Sequence, residues 1–176
     1  MRMFVSHINE LVEINTKTMG FQSIVHGRII INNNLNSARE IIQNLGNEEW
    51  MFRTEMFGQG ISNPTYYEDP VISFGATYKQ IEYHWTEFIQ KFENILRQID
   101  FDTAKIQLET EIMGTYNFFW KSKKQGKNNY DQDDKLIEVD EWFFGFGNRS
   151  RWGTLETDLL EEEIFTWEDF KYPIIE

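Results

Sequence analysis

Hydrophobic and polar residues alternate with a period of two over several stretches of this chain. Residues 104–112 are the clearest case, because every second residue is apolar or Thr and the residues between them are Lys, Gln or Glu. Such alternation predicts a strand with one buried and one wet face. β-Branched or aromatic stretches of suitable length predict further strands. The predicted strands are 21–32, 49–57, 71–75, 104–112, 116–120 and 137–143.

A helical period marks residues 78–99 instead. Their apolar side chains, several of them aromatic, fall on one arc when residues are placed 100° apart, which predicts one long helix facing the core. A shorter helix is predicted after Ser37, which forms a capping box with Glu40. Residues 5–17 are compatible either with a short helix or with a strand through 11–16, and the periodicity does not decide between them.

This order of elements predicts the α+β class, with a mixed, mainly antiparallel sheet packed by one long aromatic-rich helix and one or two shorter helices. Residues 121–135 are polar and predict a long loop between two paired strands. The length of 176 residues, without a repeat or a Ser/Pro-rich linker, predicts a single domain over 1–176. The 40% of hydrophobic residues supply enough material for its core.

The negative charge is concentrated in the last quarter of the chain. Residues 1–130 carry 15 acids and 13 bases, whereas residues 131–176 carry 14 acids and 4 bases, so -10 of the net charge of -12 lies there. Seven acids and no base occur in residues 156–169, interleaved with Leu, Ile, Phe and Trp. A purely solvating acidic tail lacks such apolar residues. We therefore expect residues 155–176 to pack on the domain with an acidic face outward, the alternative being an ordinary solvated helix face.

The charge also limits the class of partner. A net charge of -12 disfavours binding to nucleic acid phosphates and to anionic membranes, and it suits a basic protein. The chain has no cysteine, which excludes disulfides, thiolate nucleophiles and Cys-based zinc sites. With no apolar run typical of a signal peptide or a membrane span, we expect a cytoplasmic protein, the alternative being a cysteine-free periplasmic one.

The sequence contains no motif that fixes a reaction. The three histidines, His7, His26 and His84, do not have metal-ligand spacing. Residues 129–134 begin like a calcium loop, but Asp134 stands where that loop needs Gly. No dinucleotide or phosphate-loop signature occurs. We therefore predict no catalytic residue, no metal and no cofactor, and a protein that is not an enzyme.

An acidic surface with aromatic side chains suits an inhibitor of a basic protein. Acidic groups steer the association with a positive cleft, and desolvated aromatic rings act as anchors. If the partner is a nuclease, the carboxylates would mimic phosphates. The predicted partner-binding residues are Asp158, Glu161, Glu162, Glu163, Glu168, Asp169, Trp142, Trp152 and Trp167.

Residues 24–120 contain an early strand at 24–29, a capped helix after it, and a lead at 74–78 into an aromatic helix followed by paired strands. In these three features the chain resembles immunity proteins of bacterial polymorphic-toxin or contact-dependent systems. The resemblance implies a cytoplasmic inhibitor that blocks one cognate toxin domain. It assigns no role to an individual residue.

Other functions fit the same composition. A phage DNA-mimic protein that blocks a defence system would use the same electrostatics on a different partner. A carbohydrate-binding or hydrolytic protein would use carboxylates and tryptophans in a cleft. A structural role in a phage or bacterial assembly is a third alternative.

Overall fold

A computed structural model describes most of the predicted domain. Two of the sequence predictions lie outside the described residues: the helix or strand within 5–17, and the acidic segment apart from Tyr172. The described residues are 22–48, 50–61, 69–79, 81–111, 114–125, 137–146 and Tyr172.

The described residues form six strands and two α-helices. Short 3-10 turns at Thr54–Met56, Ile81–His84 and Lys123–Gln125 accompany them. In chain order the elements are β1 (Gln22–Ile31), α1 (Leu35–Gln43), β2 (Val71–Lys79), α2 (Trp85–Leu96), β3 (Phe101–Thr110), β4 (Gly114–Ser122), β5 (Ile137–Glu138) and β6 (Trp142–Phe146).

The strands form one sheet in the order β2-β1-β3-β4-β6-β5. Every pairing between them is antiparallel, which confirms the α+β class and narrows the predicted mixed sheet to an antiparallel one within the described residues. β1 lies between β2 and β3, so both of its edges are hydrogen-bonded. It is therefore a central strand although it comes first among the described elements.

The predicted long helix is shorter in the structure. α2 has 12 residues, and Ile81–His84 before it form a 3-10 turn. Tyr78 and Lys79, predicted as the first helical residues, are the last residues of β2 and pair with Ser23 and Gln22. The hydrogen-bonded pairing of β2 with β1 thus includes residues whose apolar periodicity predicted a helix. Pairing with a neighbouring strand stabilises these residues more than their local helical periodicity does.

Residues 49–57 were predicted as a strand, and this prediction is wrong. The described part has a 3-10 turn at Thr54–Met56 and one isolated bridge between Phe57 and Phe74. Met51 and Phe52 are buried, with the Phe52 ring centroid 4.5 Å from that of Phe88. This stretch is apolar because it fills the core beside α2, not because it belongs to a ladder.

The start of α1 also differs from the prediction. Asn34, rather than Ser37, is the N-cap, and its side-chain oxygen accepts a 3.0 Å hydrogen bond from the backbone N–H of Ser37. Asn and Ser stabilise helix starts about equally, so residue preference alone did not separate the two positions.

Residues 137–143, predicted as one strand, belong to two. β5 ends at Glu138, and β6 begins at Trp142 and pairs with the end of β4. Between them, the backbone N–H of Val139 donates to the carbonyl of Trp142 at 2.9 Å. A tight turn therefore interrupts the alternating pattern.

The core lies between α2 and one face of the sheet. Phe92 of α2 has its ring centroid 5.3 Å from that of Phe74 and 5.0 Å from that of Trp120. Phe88 and Trp85 stack at 4.7 Å on the same helix. The aromatic stripe of the predicted helix is thus a core-facing surface, as its periodicity indicated.

A candidate partner-binding region at the C-terminal anchor

Glu93 is a charged residue inside this aromatic core. It lies on the buried face of α2 with 5% of its surface exposed. Its Oε1 accepts a 2.8 Å hydrogen bond from the indole Nε1–H of Trp120 on β4. A buried carboxylate needs such partners, because its desolvation is costly otherwise.

Tyr172 supplies the second partner and connects the C-terminal end of the chain to the core. Its hydroxyl hydrogen-bonds to the Glu93 carboxylate and accepts a 2.7 Å hydrogen bond from Nε1–H of Trp142. Its ring stacks on Phe144 with the centroids 3.7 Å apart and 20° between the planes. We call these residues, Glu93, Trp120, Trp142, Phe144 and Tyr172, the C-terminal anchor.

Burial changes the pKa values of the two ionisable groups of the anchor, Glu93 and Tyr172. It raises the pKa of Glu93, an effect that the hydrogen bonds from Trp120 and Tyr172 and the charge of Arg97 only partly offset. Burial, followed by the neighbouring Glu93 charge, also raises the pKa of Tyr172 far above its usual range. Tyr172 therefore stays protonated, and its hydroxyl donates a hydrogen bond to Glu93 while accepting one from Trp142.

At the edge of the C-terminal anchor, Arg97 contacts both Trp142 and Glu141. The Arg97 guanidinium lies 5.2 Å from the centroid of the Trp142 ring, within cation–π range. Its Nε is 3.4 Å from Oε1 of Glu141, the residue before β6. Both side chains of this ion pair are more than one third exposed, so the pair contributes little to stability by itself.

The raised pKa of Glu93 predicts a pH dependence of stability. The folded state holds the Glu93 proton at pH values where the unfolded state has lost it. The free energy of unfolding should therefore fall as the pH rises from the ordinary range of glutamate through the raised pKa of Glu93. Urea titrations of the wild type and of Glu93→Gln, at several pH values from 4 to 8, measure this loss. We expect the variant to lack it.

Glu87→Gln is the matched control for this experiment. Glu87 lies on the exposed side of α2, where its Oε1 is 3.4 Å from the Nζ of Lys91. If Glu87→Gln flattened the pH profile as much as Glu93→Gln, the buried carboxyl would not be the cause.

The anchor fixes Tyr172, the described residue of the acidic segment 155–176. Phe146 ends β6, and Tyr172 is the next described residue along the chain. Since Tyr172 stacks on Phe144, two residues before Phe146, the two described residues on either side of 147–171 both lie at β6.

The structure places one of the nine predicted partner-binding residues. Trp142 is 0% exposed and lies in the core beside Tyr172 and Arg97, so a partner reaches it only if these side chains move. The other eight lie outside the described residues: Asp158, Glu161, Glu162, Glu163, Glu168, Asp169, Trp152 and Trp167.

Sequence reasoning missed Glu93 and Tyr172 as members of one site. One signal for Glu93 was available, because it stands four residues after Ile89 and three before Leu96, both of which are buried. An acid on the apolar arc of a helix indicates a buried partner. Tyr172 carried no signal, because its contacts join residues distant in sequence.

Comparison of the chain with protein-family models, with curated proteins and with solved structures gave no match. In the part of the chain that the structure describes, no three His, Asp or Glu side chains are grouped to hold a metal ion. Neither α1 nor α2 is long and apolar enough to cross a membrane.

Proposed function

We propose that this protein binds a basic protein through its acidic segment and neutralises it, in the manner of a cytoplasmic immunity protein acting on a toxin domain. The observation that carries the proposal is the C-terminal anchor, in which Tyr172 of the acidic segment packs on Phe144 and accepts a hydrogen bond from Trp142. The acidic segment is thereby held to the folded body at Tyr172.

Charge and attachment together favour binding. The segment belongs to the part of the chain that holds -10 of the net charge, and such a field accelerates association with a positive cleft. Because the described residues on either side of 147–171 both lie at β6, their positions need not be ordered by the partner, which lowers the entropy cost of binding. Both effects act before any specific contact is made.

The roles within the segment follow from side-chain chemistry. The carboxylates of Asp158, Glu161, Glu162, Glu163, Glu168 and Asp169 would pair with the partner's Lys and Arg side chains. Trp152 and Trp167 would be the desolvated anchors, and Trp142 would act from the core by holding Tyr172. Inhibition by occupying a cleft requires no catalytic group, cofactor or metal.

Charge reversal in the segment tests the proposal. The partner candidate is the C-terminal domain encoded by the adjacent reading frame of the source genome. Expressed alone in a bacterial host, that domain should arrest growth, and co-expression of the wild-type chain should restore it. The triple variant Glu161→Lys, Glu162→Lys, Glu163→Lys should fail to restore growth, and the affinity of the wild type should fall as salt is added.

The control carries the same change of charge elsewhere. Glu40, Glu48 and Glu55 are exposed on the described body, and their simultaneous replacement by Lys should leave rescue unchanged. Rescue by the segment variant, or a partner domain that is itself acidic, would contradict the proposal. Tight binding to a host DNA-binding defence protein instead would favour the DNA-mimic function.

A further inference from the structure

The sheet face opposite α2, which we call the outer face, has a charge unlike that of the whole protein. In the described strands this face carries His26, four Lys or Arg residues and two Glu residues. Its charge is therefore positive, although the whole chain has a net charge of -12. The ionisable strand residues of this face are His26, Arg28, Lys79, Lys105, Lys121, Glu109 and Glu138.

A depression of about 280 Å³ lies among these side chains. Its lining comes from three neighbouring strands: His26, Gly27 and Arg28 of β1, Ser73 and Phe74 of β2, and Lys105 and Gln107 of β3. Polar hydrogen-bond donors of several kinds therefore converge on one place.

The pairing register explains this convergence. Arg28 is directly opposite Ser73 on one side and Lys105 on the other, while His26 is opposite Gln107. Two cations in directly opposite positions repel each other and destabilise a sheet. An anion bound between Arg28 and Lys105 would offset this repulsion.

The donors at the centre of the depression are available to a ligand. Within the described residues, the Arg28 guanidinium, the Ser73 hydroxyl and the Gln107 amide make no hydrogen bond or ion pair. At the rim, Nε2 of His26 is 3.1 Å from Oε1 of Glu109, so that carboxylate is held by the histidine.

The geometry points to a binding site for the phosphate group of a small molecule. A guanidinium donates two parallel hydrogen bonds to phosphate oxygens, and Lys105 adds positive charge from the other side. Phosphate has oxygens in several directions and can accept from donors on three strands at once. Glu109 at the rim and the overall charge of -12 disfavour a polyanion such as a nucleic acid strand. This site does not depend on the proposed function of the acidic segment.

Titration of the full chain with inorganic phosphate, followed by the backbone amide NMR spectrum, tests this site. We expect saturable shifts of amides around Arg28, Ser73 and Gln107. Arg28→Gln should weaken binding about tenfold or more, since it removes charge-assisted hydrogen bonds. Arg28→Lys should weaken phosphate binding less, because lysine keeps the positive charge but cannot donate two parallel hydrogen bonds. Glycerol 3-phosphate, titrated in parallel, distinguishes free phosphate from a phosphate ester as the preferred ligand.

Lys79→Gln is the matched control. Lys79 lies on the same face and loses the same charge, but it pairs with Gln22 at the end of the ladder rather than lining the depression. It should bind phosphate as the wild type does. The absence of saturable shifts, unchanged binding by Arg28→Gln, or an equal loss in Lys79→Gln would overturn the proposal. The amide spectra show at the same time whether each variant is folded.

Discussion

Replacing Tyr172 by alanine should lower the free energy of unfolding by about 3 kcal/mol, the lower end of the range for large aromatic side chains removed from a core, because Tyr172 is partly buried. The change removes the ring stacked on Phe144, the donor to Glu93 and the acceptor for Trp142 together. Urea unfolding followed by tryptophan fluorescence measures the loss.

Tyr172→Phe separates the ring from the hydroxyl. It keeps the stacking on Phe144 but leaves Glu93 and the Trp142 indole each without one hydrogen bond. A buried polar group left without a partner costs about 1–3 kcal/mol, so this variant should be intermediate. If Tyr172→Ala were as stable as the wild type, the contacts of Tyr172 in the C-terminal anchor would not contribute to the stability of the protein in solution.

Replacing Gly27 by alanine is expected to have the second-largest effect. An added Cβ would come within 2.4 Å of the Phe74 ring and 2.5 Å of the Lys105 carbonyl oxygen. The ring can move in part, but the carbonyl belongs to the ladder between two central strands. Overpacking of this kind costs about 1–3 kcal/mol, and the backbone clash places this variant near the upper end. Thermal and urea unfolding measure it.

Gly75→Ala provides the comparison. Gly75 is on β2 beside β1, but the nearest atom to its added Cβ, the Val25 carbonyl oxygen, is 3.3 Å away. We expect a smaller change than at Gly27. The double variant Gly27→Ala, Phe74→Leu should recover only part of the loss, because the contact with Lys105 remains. Equal stabilities of the two single variants would contradict the close approach at Gly27.

Strands could be predicted from the sequence where one face is buried and the other is exposed to solvent. The pattern at 104–112 gave β3, which the structure places at Phe101–Thr110, because burial on one side only imposes a period of two. The stretch 49–57 was equally apolar but forms no strand. Its side chains enter the core from an irregular segment, and composition cannot distinguish that from a ladder.

The site was less predictable than the fold. The acidic segment could be located from the sequence, because counting its charged residues requires no knowledge of tertiary contacts. The C-terminal anchor requires α2, β4, β6 and Tyr172 to meet, and its hydrogen bonds span 27 residues between Glu93 and Trp120 and 30 between Trp142 and Tyr172. The register that brings Arg28 opposite Lys105 is likewise set by pairing between distant strands.

The sequence by itself determined the α+β class, most of the strands, the core-facing stripe of α2 and the position of the negative charge. These depend on local periodicity and composition, which each segment carries alone. Only the tertiary structure decided where β2 ends and α2 begins, that Trp142 is buried, and that Tyr172 joins the far end of the chain to Glu93. Such outcomes follow from competition among distant segments for the same hydrogen bonds and the same core volume.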